Sequence, residues 1–141
     1  MLDINIELII LPILNLNFNI GMIKRASRAL LFEYLELFPV VAIIGARQSG
    51  KTTLTHELAS DSWKFFDLEK AADFDIISRD PDMFLRLNPK QTVLDEAQML
   101  PQLFSALRVA VDADRPAKGR FLITGSSSPE LLGSISESLA G

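Results

Sequence analysis

Apolar positions along this chain follow two alternating periods. Val40-Val41-Ala42-Ile43-Ile44 is an unbroken apolar run, as expected of a strand covered on both faces of a parallel sheet. Before it, the residues at 23, 26, 30, 34 and 37 recur at helical spacing, which predicts a helix from Ile23 to Phe38 with that face inward. Pro39 closes that helix. A second helix is expected from Lys51 to Ala59 and a second strand from Trp63 to Leu68. Asp80-Pro81 reads as a helix cap with proline at the first helical position, carrying Phe84, Leu85 and Leu87 inward until Asn88-Pro89 ends the helix. Gln91 to Leu94 predicts a third strand that terminates in Asp95-Glu96. Pro101 opens a helix whose apolar stripe is Leu103, Phe104, Leu107, Ala110 and Val111. After the polar, turn-rich stretch 112–119 comes a fourth strand, Phe121-Leu122-Ile123-Thr124, followed by Gly125-Ser126-Ser127-Ser128. Ser128-Pro129-Glu130 then opens a last helix. Strands alternating with helices predict an α/β fold, a parallel, doubly wound sheet flanked by helices.

Composition narrows the chemistry. The chain has 141 residues, 48% hydrophobic and 23% charged, enough for one globular domain with a real core. It has no cysteine, which excludes disulfides, thiolate catalysis and zinc–thiolate sites. A net charge of −4 does not favour nucleic acid as a general partner. Lys24, Arg25 and Arg28 read as a solvated helical face, and His56, the single histidine, as a surface residue of the second helix. The longest apolar run, Leu8 to Leu14, falls short of the roughly 20 residues that a membrane helix needs. Residues 1–21 have two readings, an added β-like segment or an extension upstream of a start at Met22. The sequence Met22-Ile-Lys-Arg favours the second.

Three polar sites fall at the carboxyl ends of the expected strands, where open α/β sheets bind ligands. The first is Gly45-Ala46-Arg47-Gln48-Ser49-Gly50-Lys51-Thr52, with Thr53 following, which matches the phosphate-binding pattern G-x-x-x-x-G-K-[ST]. Between a buried strand and a helix, such a loop aims successive backbone N–H groups at one point and attracts phosphate. Lys51 would add charge at the β- and γ-phosphates, and the Thr52 hydroxyl would ligate Mg²⁺. The second site is Thr92-Val93-Leu94-Asp95-Glu96, a short apolar strand ending in two acids, the Walker B pattern. Asp95 would sit in the Mg²⁺ shell, and Glu96 would take a proton from a water attacking the γ-phosphate. The third is Thr124-Gly125-Ser126-Ser127, where Thr124 or Ser126 would orient that water; spacing does not choose between them. The chain carries neither an Asn-Lys-x-Asp guanine-reading motif nor a Leu-Ser-Gly-Gly-Gln signature, so ATP hydrolysis is the favoured chemistry.

From Met22 to Gly141 the chain resembles the N-terminal ATPase domain of a prokaryotic AAA+-like family, a P-loop NTPase fold of the additional-strand type. The resemblance rests on Gly45 to Thr53, Phe66-Asp67-Leu68-Glu69, Leu94-Asp95-Glu96-Ala97-Gln98, Pro101 with Leu103-Phe104, Leu107-Arg108, Leu122 to Ser127 and Leu139-Ala140-Gly141. It implies an ATP-binding domain over 22–141 behind an extension over 1–21, with ATP and Mg²⁺ as ligands. It also implies a cytoplasmic location and allows assembly of several copies or action on a protein client. Members of that family usually continue Leu-Ala-Gly with an arginine, further strands and a C-terminal domain. On that pattern the sheet is expected to be incomplete at the C-terminus, with an exposed edge and weak or absent hydrolysis. The rival expectation is a switch module that binds ATP without significant turnover.

Overall fold

The computed structural model of the protein describes residues 7–10, 20–45, 51–58, 62–126 and 128–138. Its centre is β2 (Val40–Gly45), whose side chains alternate between two cores. Val40, Ala42 and Ile44 pack into one layer, Val41 and Ile43 into the other. Alternation across a pleated strand explains why the run has no polar face: each side meets a helical layer. On one side lie Leu31 and Leu35 of α1 (Ile20–Leu37) with Leu54 of α2 (Lys51–Leu58). On the other lie residues of α3 (Ala71–Arg79), α4 (Pro81–Leu87), α5 (Gln102–Ala113) and α6 (Pro129–Ser138).

The remaining strands are β1 (Glu7–Ile10), β3 (Lys64–Asp67), β4 (Thr92–Asp95) and β5 (Phe121–Ser126). Among the described residues the sheet has five parallel strands in the order β1-β2-β5-β4-β3. The α/β architecture and the four expected core strands are therefore present. Glu7–Ile10 lies within the segment read as an extension, yet it pairs in parallel with β2 from Glu7↔Val41 to Ile10↔Ile44. The edge of β2 is thus covered, and among the described residues β1 and β3 are the sheet's edges.

Two expectations about helix faces need correction. In α1 the core takes Leu31 and Leu35, with Tyr34 and Phe38 packed against them, while Leu30 and Leu37 are exposed. The stretch from Leu30 to Phe38 carries apolar residues in nearly every phase, so the sheet surface and not the periodicity selects the buried face. In α4, Phe84 and Leu85 are buried, but Leu87 is 70% exposed. One turn after Phe84, the helix is ending, and the Asn88 backbone N–H and side-chain amide both donate to the Phe84 carbonyl. Elsewhere the caps behave as their chemistry dictates. Asp80 Oδ1 accepts from the Met83 N–H (2.9 Å) and Ser128 Oγ from the Leu131 N–H (3.2 Å). Helix α3 is absent from the sequence reading, although Phe74 and Ile77 pack inward at helical spacing.

Candidate functional site

Parallel strands bring their carboxyl ends to one edge. The register sets Gly45 opposite Ser126, and Asp95 stands at the end of β4, which pairs with β5 on its other side. Three of the expected site residues converge there. Thr52, in the first turn of α2, donates through Oγ1 to Asp95 Oδ2 at 3.0 Å. Thr124 donates through Oγ1 to Asp95 Oδ1. Asp95 is 2% exposed, so each of its oxygens holds one hydroxyl proton and the buried carboxylate is compensated.

Lys51 opens α2 and is almost wholly buried; its Nζ donates to the Gly45 carbonyl at 3.0 Å. That bond lays the ammonium group beside the point where β2 gives way to the loop. The start of α2 adds the positive end of its dipole at the same place. Thr53 is exposed on α2. Ala46, Arg47, Gln48, Ser49 and Gly50 lie outside the described residues.

Glu96 follows Asp95 in the left-handed region, φ 56° and ψ 47°. For a residue with a Cβ that conformation costs about 1–3 kcal/mol and persists only where neighbours enforce it. Here the Glu96 N–H donates to Thr124 Oγ1 at 3.1 Å. Thr124 therefore links both acids, and at 1% exposure its hydroxyl is committed to them. Ser126 is half-buried at the end of β5, beside Gly45. Gln98, in the 3₁₀ turn Ala97–Met99, donates from Nε2 to Glu96 Oε2. The sequence reading gave this residue no role; the available signal was an amide placed two residues after the acids at a strand end.

The donor set suits a small hard cation. Adjacent ligands of an Mg²⁺ octahedron lie about 2.9 Å apart, close to the 3.0 Å between Thr52 Oγ1 and Asp95 Oδ2. Among the described residues no cluster of three or more His, Cys, Asp or Glu could hold a metal ion. Such a cation would draw its other ligands from water and phosphate, the usual habit of Mg²⁺.

A family model described as an AAA domain matches residues 37–141. The chain belongs to that family. Two uncharacterized proteins, from Mycobacterium bovis and Mycobacterium tuberculosis, are each 43% identical over 120 residues, covering 84% of this chain. The chain spans about a quarter of the length of these curated relatives (26%). As an AAA domain, it falls among nucleotide-binding, ATPase-like proteins, which usually bind with Mg²⁺. Among the described residues no helix is long and apolar enough to cross a membrane.

Proposed function

We propose that this AAA domain binds ATP with Mg²⁺ at the carboxyl ends of β2, β4 and β5 and hydrolyses it to ADP and phosphate. One observation carries the reading: the Thr52 hydroxyl and the Asp95 carboxylate meet at 3.0 Å beside the buried Lys51. Gly45 to Thr53 would hold the phosphates through backbone N–H groups and the Lys51 ammonium. Thr52 and Asp95 would hold the cation, which when bound neutralises charge on the β- and γ-phosphates. Glu96 takes a proton from the attacking water as its oxygen bonds to the γ-phosphorus and the bond from that phosphorus to the ADP oxygen breaks. Thr124, bonded to both acids, or Ser126, at the end of β5, would orient that water. A cytoplasmic location belongs to the same reading, as does assembly with further copies or a protein client.

The test is phosphate release from MgATP by the parent chain and by Glu96→Gln, with ATP affinity measured by calorimetry on both. The reading requires similar affinity and a turnover loss of about 10²–10⁴-fold, the range for a general base. Equal release from the two proteins would leave a nucleotide-binding switch module. No heat with any nucleotide would remove the binding claim as well.

A further inference from the structure

Glu96 has its backbone fixed on both sides. Its N–H is held by Thr124 and its carbonyl accepts from the Met99 N–H at 3.0 Å. These bonds set where the side chain leaves the chain but not where its carboxylate points. We propose that Gln98 is the positioning residue for Glu96, its amide holding one carboxylate oxygen so that the other faces the nucleophilic water. This rests on the reading of Glu96 as the base, and it supplies the third group that orients a base in such sites.

Three observations carry it. The first is the bond from Gln98 Nε2 to Glu96 Oε2. The opposite amide orientation would aim a carbonyl oxygen at a carboxylate, so chemistry selects the donor.

The second is the packing around Gly125. A Cβ there would lie 2.8 Å from Gln98 Oε1 and 2.4 Å from Leu131 Cδ2. The glutamine side chain therefore lies against bare backbone in β5, and the absent side chain makes room for it. The turn that presents Gln98 is itself anchored, with Ala97 buried and the Leu100 N–H donating to the Ala97 carbonyl at 3.1 Å.

The third is the other end of the amide. Gln98 Oε1 is buried and has no hydrogen-bond partner among the described residues. Burying an unpaired carbonyl is unfavourable, and an apolar side chain of the same length would pack there without that penalty. A purely structural residue at this position would do better as methionine; what methionine lacks is the donor to Glu96.

The decisive comparison uses Gln98→Met, alone and combined with Glu96→Gln, in the full chain. Single-turnover hydrolysis of MgATP should fall about 100-fold in Gln98→Met, the order that a misplaced reacting group costs. ATP affinity should stay within about threefold and the melting temperature should hold or rise. On top of Glu96→Gln the second substitution should change the rate by less than about twofold, because residues acting as a unit are not additive. Losses that multiply, or full activity in Gln98→Met beside a dead Glu96→Gln, would overturn the positioning role and leave the base reading intact. Full activity in Glu96→Gln would instead overturn both.

Where the parent chain shows no turnover, the contact itself is read without nucleotide. The Gln98 side-chain amide protons, assigned by their disappearance in Gln98→Met, should shift in the NMR spectrum of Glu96→Ala. Unmoved resonances would overturn the proposal.

Discussion

At the amino-terminal end of the sheet, buried polar groups bond to backbone. Arg120 donates from Nε to the Pro89 carbonyl (2.8 Å) and from a terminal nitrogen to the Ala110 carbonyl (2.6 Å), with its guanidinium 4.9 Å from the Phe121 ring centre. The Thr92 hydroxyl lies 3.2 and 3.3 Å from the carbonyls of Lys90 and Asn88. At the carboxyl end, Thr52, Asp95, Thr124, Glu96 and Gln98 bond largely through one another's side chains. The difference teaches how to separate scaffold from site. A side chain that ties the carbonyl of a loop residue, Pro89, to that of a helix residue, Ala110, cannot leave without unpairing both. A hydroxyl on a carboxylate can exchange that partner for a ligand oxygen and lose little.

Removing the amino-terminal tie should have the largest effect. Arg120→Ala removes the bonds to the Pro89 and Ala110 carbonyls, and a hydrogen bond from a charged group contributes about 1.5–3 kcal/mol. The expected loss in a chemical denaturation is about 3 kcal/mol or more. Arg120→Lys keeps a charge but not the planar fork that reaches both carbonyls, so about half of that loss should remain. Burial lowers the Arg120 pKa from the ordinary arginine value, with Asp114 acting in the opposite sense. Folding then favours loss of this proton, so the stability linked to Arg120 rises with pH, and only in strongly alkaline solution. An equal loss for both substitutions at neutral pH would mean that the fork's geometry carries the whole effect and the charge none.

At the carboxyl end the loss should appear in ligand response and not in the fold. MgATP at 100 times its dissociation constant should stabilise the parent by about 2.7 kcal/mol. Lys51→Ala should erase most of that gain. Asp95→Asn should remove the part of the gain that depends on Mg²⁺. Thermal shift with and without MgATP checks both. A ligand shift that survives in Lys51→Ala would break the distinction between the two ends.

Gly125 sharpens that distinction because packing and site meet there. Gly125→Ala drives a methyl into Leu131 Cδ2 and Gln98 Oε1. Overpacking of this kind costs about 1–3 kcal/mol. The melting temperature should drop accordingly, with turnover falling further than the Leu131 contact alone explains. A drop in stability with unchanged turnover would assign Gly125 to packing only.

How much of this could be read from residues alone depends on the interaction range. β2, β4 and β5 were legible because each is a short apolar run bounded by glycine, acids or proline, signals that are local. Asp95 and Thr52 were assigned to one cation from motif spacing, and the two side chains are 3.0 Å apart. The choice between Thr124 and Ser126 was not legible. The bonds that join Thr124 to Asp95 and Glu96 link β5 to the end of β4, about thirty residues away in sequence, and spacing along one strand carries no trace of them. Gln98 was hidden for the same reason: a one-turn 3₁₀ segment has no period, and its partner is set by the left-handed Glu96. The pairing of Glu7–Ile10 with β2 is non-local too, since a lone apolar tetrapeptide does not announce which edge it joins.

The smallest effect belongs to a position outside both ends. In α4, Phe84 packs edge-on against Phe66, with ring centres 4.8 Å apart, and Leu85 is buried beside it. Leu87, 70% exposed, turns away from that contact. Surface substitutions away from special features usually stay within about 0.5 kcal/mol, so Leu87→Ser should leave denaturation midpoint and ligand shift where they were. That null result calibrates the assay against which the larger losses at Arg120 and Lys51 are read. A loss above about 1 kcal/mol, comparable to covering much of a leucine side chain, would instead mean that Leu87 is covered in solution. Repeating the melt at several protein concentrations then decides what covers it, because stability borrowed from a second copy rises with concentration and intramolecular cover does not.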